Sequence, residues 1–296
     1  MMYDFKDYYE ATGIRDAVNH LAGNPNARII AGGTDVLIRL RERSGKFVGK
    51  DLVGITRIPE LREIHMDKSG DILIGSACSF TAVENHPLIR RSLASLSVAA
   101  GSVGGPQVRN CGTVGGNICN GATSADTAPA LFTYGALLVL ESPRGRREIP
   151  ITEFYTGPGK VVLNQDDLLV AVKIKKCDYE GYRGHYIKFA QRRAMDISTL
   201  GCAVWLKTDP KGEVIEDLRV AFGVAGPTPL RARTAEAYAR GKATDRPSLE
   251  KIGGQCLRDT SARDSWRGSK LFREQLIQEL PARAIGIALE RGSSRA

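Results

Sequence analysis

The chain has 296 residues, enough for one large domain or two modest ones, and its 42% hydrophobic and 25% charged composition is typical of a globular protein. A net charge of +9 indicates an anionic ligand or an acidic partner; nucleic acid is disfavoured because aromatic residues make up only 6% and basic residues form no long run. No apolar run is long enough to predict a membrane span.

The cysteines predict neither a metal site nor a disulfide framework, because none of them form a CxxC pair. They are Cys78, Cys111, Cys119, Cys177, Cys202 and Cys256. Their spacing also does not match a [2Fe–2S] cluster. We therefore expect six reduced thiols and a cytoplasmic location. The first five residues, Met1 to Phe5, do not resemble a signal peptide.

In the first half of the chain, helical spacing of apolar residues predicts a helix over residues 12–21, with Thr12 as its N-cap. A strand over 28–30 then leads into a glycine turn, and a helix resumes at 36–40. A strand at 71–76 precedes a capping box at 81–84 and a helix over 88–100. Beyond the glycine-rich stretch 101–121, two strands ending near residue 151 are joined by a turn at 142–145.

In the second half, a polar stretch at residues 175–184 separates two predicted strands and marks a domain boundary. Strands are predicted at 168–174, 186–190, 197–207 and 215–224. Helices are predicted at 233–240, 249–258 and 269–280, and Pro281 should stop or kink the last one. Strands followed by helices, rather than alternating with them, favour an α+β second domain.

Two glycine-paired segments are the strongest candidates for a binding site. The first spans residues 31–35 and the second residues 112–120. Paired glycines expose consecutive backbone amides, which can wrap an anion such as a pyrophosphate. The alternative is that both are ordinary tight turns. Neither segment matches the GxGxxG or GxxxxGK[ST] fingerprints, so a Rossmann dehydrogenase and a P-loop enzyme are disfavoured.

Two charged positions have competing interpretations. Asp126 follows the second segment and is suited to bind a sugar hydroxyl, but it can also act as the N-cap of a helix starting near residue 128, and both roles can hold. Lys188 belongs to a group with Arg192, Arg193 and Asp196 that can equally be a solvated, self-paired cluster. The four histidines are scattered, and we assign no catalytic acid or base.

These motifs together resemble a known family. Residues 30–35, 104–110, 113–120 and Asp126 are similar to the FAD-binding domain of molybdenum hydroxylases, which include xanthine dehydrogenase, aldehyde oxidases and carbon monoxide dehydrogenase. Residues 188–193 and the helical tail resemble the C-terminal flavoprotein domain of that family. The resemblance covers essentially the whole chain, and residues 117–126 and 194–198 especially resemble the separate FAD subunits of bacterial xanthine dehydrogenases.

The resemblance implies an α+β fold in two parts. Residues 1–178 would form an FAD-binding domain of the PCMH/vanillyl-alcohol-oxidase-like type, with two α+β subdomains that divide near residues 55–60. Residues 184–290 would form a small C-terminal domain with a three-stranded antiparallel sheet and helices.

The resemblance also implies a cofactor site. The pyrophosphate and ribityl chain would be wrapped by Ile29, Ile30, Ala31, Gly32, Gly33, Thr34 and Asp35. The flavin and diphosphate would be lined by Gly104, Thr113, Gly116, Asn117 and Asn120. Asp126 would bind a ribityl or ribose hydroxyl, and Leu169 would pack near the adenine or the ring system. Lys188 would lie at the pyrimidine edge of the flavin, where a positive charge raises the reduction potential.

The implied function is that of an FAD-binding electron-transfer subunit. Two [2Fe–2S] clusters on a small partner subunit would deliver electrons, a large partner subunit would hold molybdopterin, and NAD+ would accept hydride. One alternative is a subunit of another hydroxylase, acting on an aldehyde, CO or an N-heterocycle, with a different acceptor. Another is a flavin-free anion-binding or assembly protein of the same fold. Ala194 and Met195 replace an acidic run found in animal enzymes, which leaves the nicotinamide contacts open.

Overall fold

The computed structural model describes residues 3–293, with side chains described to residue 290, so Met1 and Met2 of the first predicted domain lie outside it. The chain begins with a small parallel sheet and two helices. These elements are β1 (Asp7–Glu10), α1 (Ile14–Gly23), β2 (Ala27–Ile30), α2 (Val36–Arg41) and β3 (Asp51–Gly54). Strand β3 pairs in parallel with β1 and β2, so the segment after Ile30 leaves the sheet at its carboxyl edge.

Helix α1 confirms the predicted apolar face, since Ala17, Val18 and Leu21 are buried. The predicted N-cap is wrong. Gly13 occupies that position, and the amide and hydroxyl of Thr12 donate to Asp16 Oδ2 at 2.8 and 3.1 Å. Asp16, in the first turn of α1, therefore accepts the hydrogen bonds at the start of the helix, where Thr12 was predicted to be the acceptor.

The middle of the chain forms a five-stranded antiparallel sheet in the order β4-β5-β10-β6-β7, covered by short helices. Its strands are β4 (Ile64–Met66), β5 (Ile72–Gly75), β6 (Leu137–Ser142), β7 (Gly145–Pro150) and β10 (Leu168–Ile174), and a small hairpin is made of β8 (Tyr155–Gly157) and β9 (Lys160–Val161). The helices are α3 (Phe80–Asn85), α4 (Pro87–Ser92), α5 (Ala94–Gly101), α6 (Pro106–Cys111), α7 (Val114–Cys119), α8 (Thr127–Thr133) and α9 (Ile151–Phe154).

The predicted strands of this part match β5, β6, β7 and β10, whereas β4, β8 and β9 were not predicted, and the helices differ from expectation. The predicted helix over 88–100 is broken at Leu93, whose φ of −130° and ψ of 50° are not helical. Helix α3 is capped by Ser79, which accepts from the amide of Ala82 at 3.1 Å, rather than by Thr81. The Thr81 hydroxyl instead donates to Asn110 Oδ1, so a tertiary contact replaces the predicted local one.

The last part of the chain forms a second antiparallel sheet, in the order β11-β12-β13-β14, followed by helices. Its elements are β11 (Arg183–Phe189), β12 (Leu200–Thr208), β13 (Ile215–Gly223), β14 (Leu230–Arg231), α10 (Arg233–Ala239), α11 (Arg246–Cys256) and α12 (Lys270–Ser293). The predicted three-stranded sheet therefore gains a fourth strand, whose two residues are too few to show an alternating pattern. Pro281 lies inside α12 and does not stop it. Ala284, Ile285 and Ala288, which follow Pro281 on the same helix, are packed into the core.

The C-terminal sheet is buried on both faces, and strand β12 shows this by its alternation. Leu200, Cys202 and Val204 pack with the apolar cluster that includes residues of α10, α11 and α12. Ala203 and Trp205 pack with the cluster of the middle sheet, where the Tyr134 ring meets Trp205 edge-on at 4.7 Å. This packing places the end of β11, which carries Lys188, against α5 and α8.

The proposed domain boundaries can be compared with the positions of these strands. The proposed break near residues 55–60 falls between β3 and β4, and the proposed divide between residues 178 and 184 falls between β10 and β11. Among the helices of residues 3–293, none combines the length and the apolar character that are needed to cross a bilayer.

Candidate functional site

The first glycine-paired segment presents a run of free backbone donors. Ile29 and Ile30 end strand β2, and Ala31 begins the segment. The amides of Gly32, Gly33, Thr34 and Asp35 have no hydrogen-bond acceptor among the described residues. Gly33 has φ of +71°, a left-handed conformation that glycine adopts without strain. Consecutive free amides in a tight bend are the kind of donor group that can wrap an anion.

The second segment was predicted to be a loop of free amides, and this is wrong. It contains helix α7, capped by Thr113. Its first amides donate within the chain: Val114 to Cys78 O (3.0 Å), Gly115 to Ser76 O (2.9 Å), Gly116 to Thr113 Oγ1 (3.1 Å) and Asn117 to Thr113 O (3.0 Å). Gly115 serves close packing, because a Cβ there would lie 2.6 Å from Ser76. The glycine pair in this segment therefore reflects a need for close packing as well as for an accessible backbone.

The two segments nevertheless lie side by side. A Cβ added to Gly32 would lie 1.8 Å from the carbonyl oxygen of Cys111 and 2.9 Å from the amide nitrogen of Gly112. Only glycine permits this approach. By contrast, a Cβ on Gly116 would meet only Thr113 Oγ1, at 3.0 Å, so the outer face of α7 is open at that point.

Arg39 links the same two segments through side chains. Its Nε donates to Asp35 Oδ2 at 2.7 Å, and its Nη2 donates to Asn120 Oδ1 at 2.7 Å. Asn120 occupies the C-cap position of α7, so the bridge runs from α2 to the end of α7. Sequence reasoning missed Arg39, although its spacing of four residues from Asp35 on a predicted helix was the available signal.

A second group of predicted residues lies around Asp126. Its carboxylate accepts from Tyr186 Oη (2.9 Å), Ser198 Oγ (2.5 Å) and Lys188 Nζ (2.8 Å). The predicted N-cap position of Asp126 on α8 is confirmed, but its side chain makes no capping hydrogen bond. Burial raises the pKa of Asp126, and the positive charge of Lys188 opposes that rise.

The alternative interpretation placed Lys188 in a solvated cluster, and this is wrong. Its side chain is 12% exposed, and its Nζ also donates to Ser102 O at 3.0 Å. The solvated interpretation does hold for Arg192, which is 69% exposed and lies 3.6 Å from Asp196. Tyr186 and Ser198 were not predicted, although Tyr186 lies two residues before Lys188 on one strand and therefore on the same face.

Gly104 lies beside this second group and contacts the loop that follows β11. It has φ of +46°, and its carbonyl accepts from the amide of Met195 at 3.1 Å. A Cβ on Gly105 would lie 2.6 Å from Met195 Sδ. The loop over residues 191–197 therefore packs directly on the Gly104–Gly105 backbone.

Leu169 and Asn117 complete the predicted set. Leu169 is 3% exposed and belongs to the core of the middle sheet, where it pairs with Leu140 of β6. Asn117 Oδ1 accepts from Thr127 Oγ1 at 2.6 Å, and Thr127 follows Asp126 directly. Asn117 thus connects the two groups of site residues. In the described part of the chain, no three His, Cys, Asp or Glu side chains come together to hold a metal ion.

Comparisons with known proteins match both parts of the chain to families of known proteins. Residues 3–175 match the model of the FAD binding domain in molybdopterin dehydrogenase, and residues 185–288 match the CO dehydrogenase flavoprotein C-terminal domain. The chain is 44% identical over 288 residues to the xanthine dehydrogenase FAD-binding subunit of Escherichia coli O157:H7, covering 97% of both chains. It is 35% identical to the nicotinate dehydrogenase FAD-subunit of Eubacterium barkeri, covering 75% of this chain and 74% of the relative.

Solved structures give the same result. A chain of carbon monoxide dehydrogenase from Hydrogenophaga pseudoflava superimposes with a TM-score of 0.90 at 28% identity, covering 98% of this chain and 99% of that one. The two matched family models together span nearly all the described residues, and the FAD-binding model alone spans more than half of the chain. This chain therefore belongs to the FAD-binding subunits of the molybdenum hydroxylase family.

Proposed function

We propose that this chain binds one FAD across its two glycine-paired segments and acts as the electron-transfer subunit of a xanthine dehydrogenase-type enzyme. In this proposal, [2Fe–2S] clusters on a small partner subunit deliver electrons, and NAD+ accepts them as hydride. A large partner subunit holds molybdopterin. The observation that carries the proposal is the contact of Gly32 with Cys111 and Gly112, which sets four free amides beside the junction of α6 and α7.

The residues present fit a dinucleotide diphosphate. A diphosphate needs several donors in a concave bend, and the amides of Gly32 to Asp35 supply four that nothing else in the described chain uses. On the opposite side, Gly116 leaves the face of α7 free of side chain. We assign Ile29 to Asp35 to the diphosphate and ribityl chain, and the neighbouring lining to Gly104, Thr113, Gly116, Asn117 and Asn120.

At the other end of the site, we assign Lys188 to the pyrimidine edge of the flavin. Asp126 holds Lys188 in place, and among the described residues its Oδ2 accepts a single hydrogen bond, from Lys188 Nζ, so capacity remains there for a sugar hydroxyl. Leu169 is assigned to the neighbourhood of the adenine or the ring system. Bound FAD supplies the exchange between single electrons and hydride. The chain supplies binding, orientation and the local charge.

The proposal that NAD+ is the acceptor is supported by positive charge near the proposed pyrimidine edge of the flavin. Arg192 and Arg193 are exposed on the loop that packs on Gly104 and Gly105, a few residues from Lys188. An anionic dinucleotide is attracted to such a cationic rim. An acceptor without phosphate groups would gain nothing from it.

A requirement for partner subunits is supported by exposed apolar residues close to the same loop. Trp266 and Leu271 are 76% and 77% exposed, and Met195 and Ile197 on the loop are exposed as well. Gln191 Nε2 donates to Arg267 O at 3.3 Å, which ties the loop to the segment that carries Trp266. A cluster of large exposed apolar side chains is typical of a surface that another protein covers.

An absorbance scan tests the first part of the proposal. Gently purified protein should show the oxidised flavin bands at about 370 and 450 nm. Protein that is folded but colourless, and that takes up no added FAD, would refute the proposal and favour a flavin-free binding protein of this fold. Stopped-flow mixing of the assembled complex with NADH then tests the acceptor, because rapid bleaching is expected for NAD+ and none for an enzyme that uses a different acceptor.

A further inference from the structure

We propose that Arg39 is a positioning residue of the cofactor site, which cancels the charge of Asp35 beside the diphosphate and fixes Asn120 against the first segment. The inference rests on the proposed function, since it assumes that the diphosphate binds at residues 32–35. It adds a residue that lies outside both glycine-paired segments.

The charge of Asp35 is the problem that Arg39 solves. Asp35 is the only acid in the first segment, and its own amide is one of the four free donors. An uncompensated carboxylate at this point would repel a diphosphate. Arg39, one helical turn further along, holds its Nε 2.7 Å from Asp35 Oδ2. The pair places no net charge at the bend, so the free amides determine what binds.

The pair contributes little to folding, which makes a role in binding the better explanation. The Arg39 and Asp35 side chains are 31% and 48% exposed, and pairs this accessible to water add little stability. Their effect is therefore expected in ligand affinity rather than in the free energy of unfolding.

Arg39 also has a geometric role that lysine cannot fill. A guanidinium presents several donors in one plane, and Arg39 uses Nε for Asp35 and Nη2 for Asn120 at the same time. A lysine has a single nitrogen on a flexible stem. Arg39→Lys should therefore keep the charge compensation but lose the fixed bridge between α2 and the end of α7.

Lys46 is a further cation near the Arg39–Asp35 pair. It lies over the Phe47 ring and forms no ion pair among the described side chains. Partial burial and the nearby charge of Arg39 lower the pKa of Lys46, while Asp35 opposes this. A diphosphate bound at residues 32–35 would be attracted by the positive charge of Lys46 as well as by the free amides.

The test is a titration of the whole chain with FAD, in which the quenching of flavin fluorescence reports binding. Arg39→Gln should weaken FAD binding by about tenfold or more, and Arg39→Lys by less. Adding Asp35→Asn to Arg39→Gln should recover most of the loss, because no charge then needs compensation. An unchanged affinity in Arg39→Gln would overturn the inference, and so would a loss that Asp35→Asn does not recover.

Arg41→Gln is the matched control, because Arg41 lies on the same helix, is exposed and contacts neither Asp35 nor Asn120. Its FAD affinity should equal that of the wild type. Lys46→Gln should weaken FAD binding and reduce its dependence on salt. Riboflavin, which lacks the diphosphate, should bind equally to the wild type and Arg39→Gln. A wild type that binds no FAD refutes the proposed function, whereas FAD binding that is equal in both refutes only the role of Arg39.

Discussion

Lys188 Nζ lies 2.8 Å from Asp126 Oδ2, and this ion pair joins β11 of the C-terminal sheet to the start of α8. Both side chains are nearly buried, and the hydroxyls of Tyr186 and Ser198 also donate to the carboxylate. Burial raises the pKa of Asp126, while the lysine holds it in check. Each charge therefore depends on the other, and a change in one alters both the stability of the fold and the field at the proposed flavin edge.

Removal of the lysine should destabilise the fold. Lys188→Ala leaves the Asp126 carboxylate buried without its counter-charge, which typically costs about 3–5 kcal/mol. The raised pKa of Asp126 means that the folded state binds its proton more tightly than the unfolded state does, so stability is lost as pH rises through the folded pKa. Lys188→Ala removes the charge that opposes this rise, so the pKa of Asp126 is higher still in the variant, which should lose more stability at about pH 7 than at about pH 5. Urea denaturation at the two pH values measures this.

An exposed ion pair provides the control for that measurement. Arg246 and Glu250 lie 2.8 Å apart with side chains 88% and 54% exposed, so Arg246→Ala should leave the free energy of unfolding nearly unchanged. If Lys188→Ala is as mild as Arg246→Ala, or its loss does not depend on pH, then the buried pair does not act as described.

The reduction potential of bound FAD should respond to the same pair with opposite signs. Lys188→Met removes a positive charge next to the proposed pyrimidine edge and should lower the potential, whereas Asp126→Asn leaves that charge uncompensated and should raise it. A differential interaction of 1.4 kcal/mol corresponds to about 30 mV for two electrons, so shifts of that order are expected. Dye-coupled reductive titration measures them. Shifts of the same sign in both variants would place Lys188 away from the flavin.

Periodic elements were predictable from the sequence, because local composition determines them. The strand over residues 168–174 and the turn at 142–145 follow from alternation and turn residues, and the structure confirms both. The break at Leu93 and the passage of α12 through Pro281 were not predictable. Both depend on what packs around the helix, and that information lies far away in the chain.

The candidate site was only partly predictable for a related reason. Glycine pairs marked both segments, yet a glycine required for a free amide looks identical in sequence to one required for close packing. Gly32 has its own amide free and packs against Cys111, whereas Gly115 packs against Ser76 and has its amide in use. The contacts of Asp126 with Tyr186, Lys188 and Ser198 cross 60 or more residues, so no local pattern indicates them.

Two glycine variants should separate these roles. Gly32→Ala forces a Cβ to within 1.8 Å of the Cys111 carbonyl oxygen, so the two segments must move apart, and both stability and FAD binding should fall. Gly116→Val meets only Thr113 Oγ1, at 3.0 Å, so the fold should survive while the side chain blocks the open face of α7 and FAD is lost. Circular dichroism melting and flavin content measure the two effects.

Gly254→Ala is a suitable control, because Gly254 lies on α11 with open space around it, and the change should leave FAD binding unaltered. Full flavin occupancy in Gly116→Val would contradict the assignment of α7 to the cofactor site. A fully stable Gly32→Ala would contradict the close contact between the two segments.

Thiol reactivity tests the packing of the whole chain in one measurement. Cys111 and Cys177 are exposed, whereas Cys78, Cys202 and Cys256 are buried. Burial raises the pKa of Cys78 to about 11 and that of Cys119 to about 12, so little reactive thiolate exists at about pH 8. Ellman's reagent should therefore label two thiols rapidly in the native chain and the remaining four only on addition of denaturant. Rapid labelling should disappear in a Cys111→Ser, Cys177→Ser double variant, and three or more fast thiols in the wild type would show that the core is looser than described.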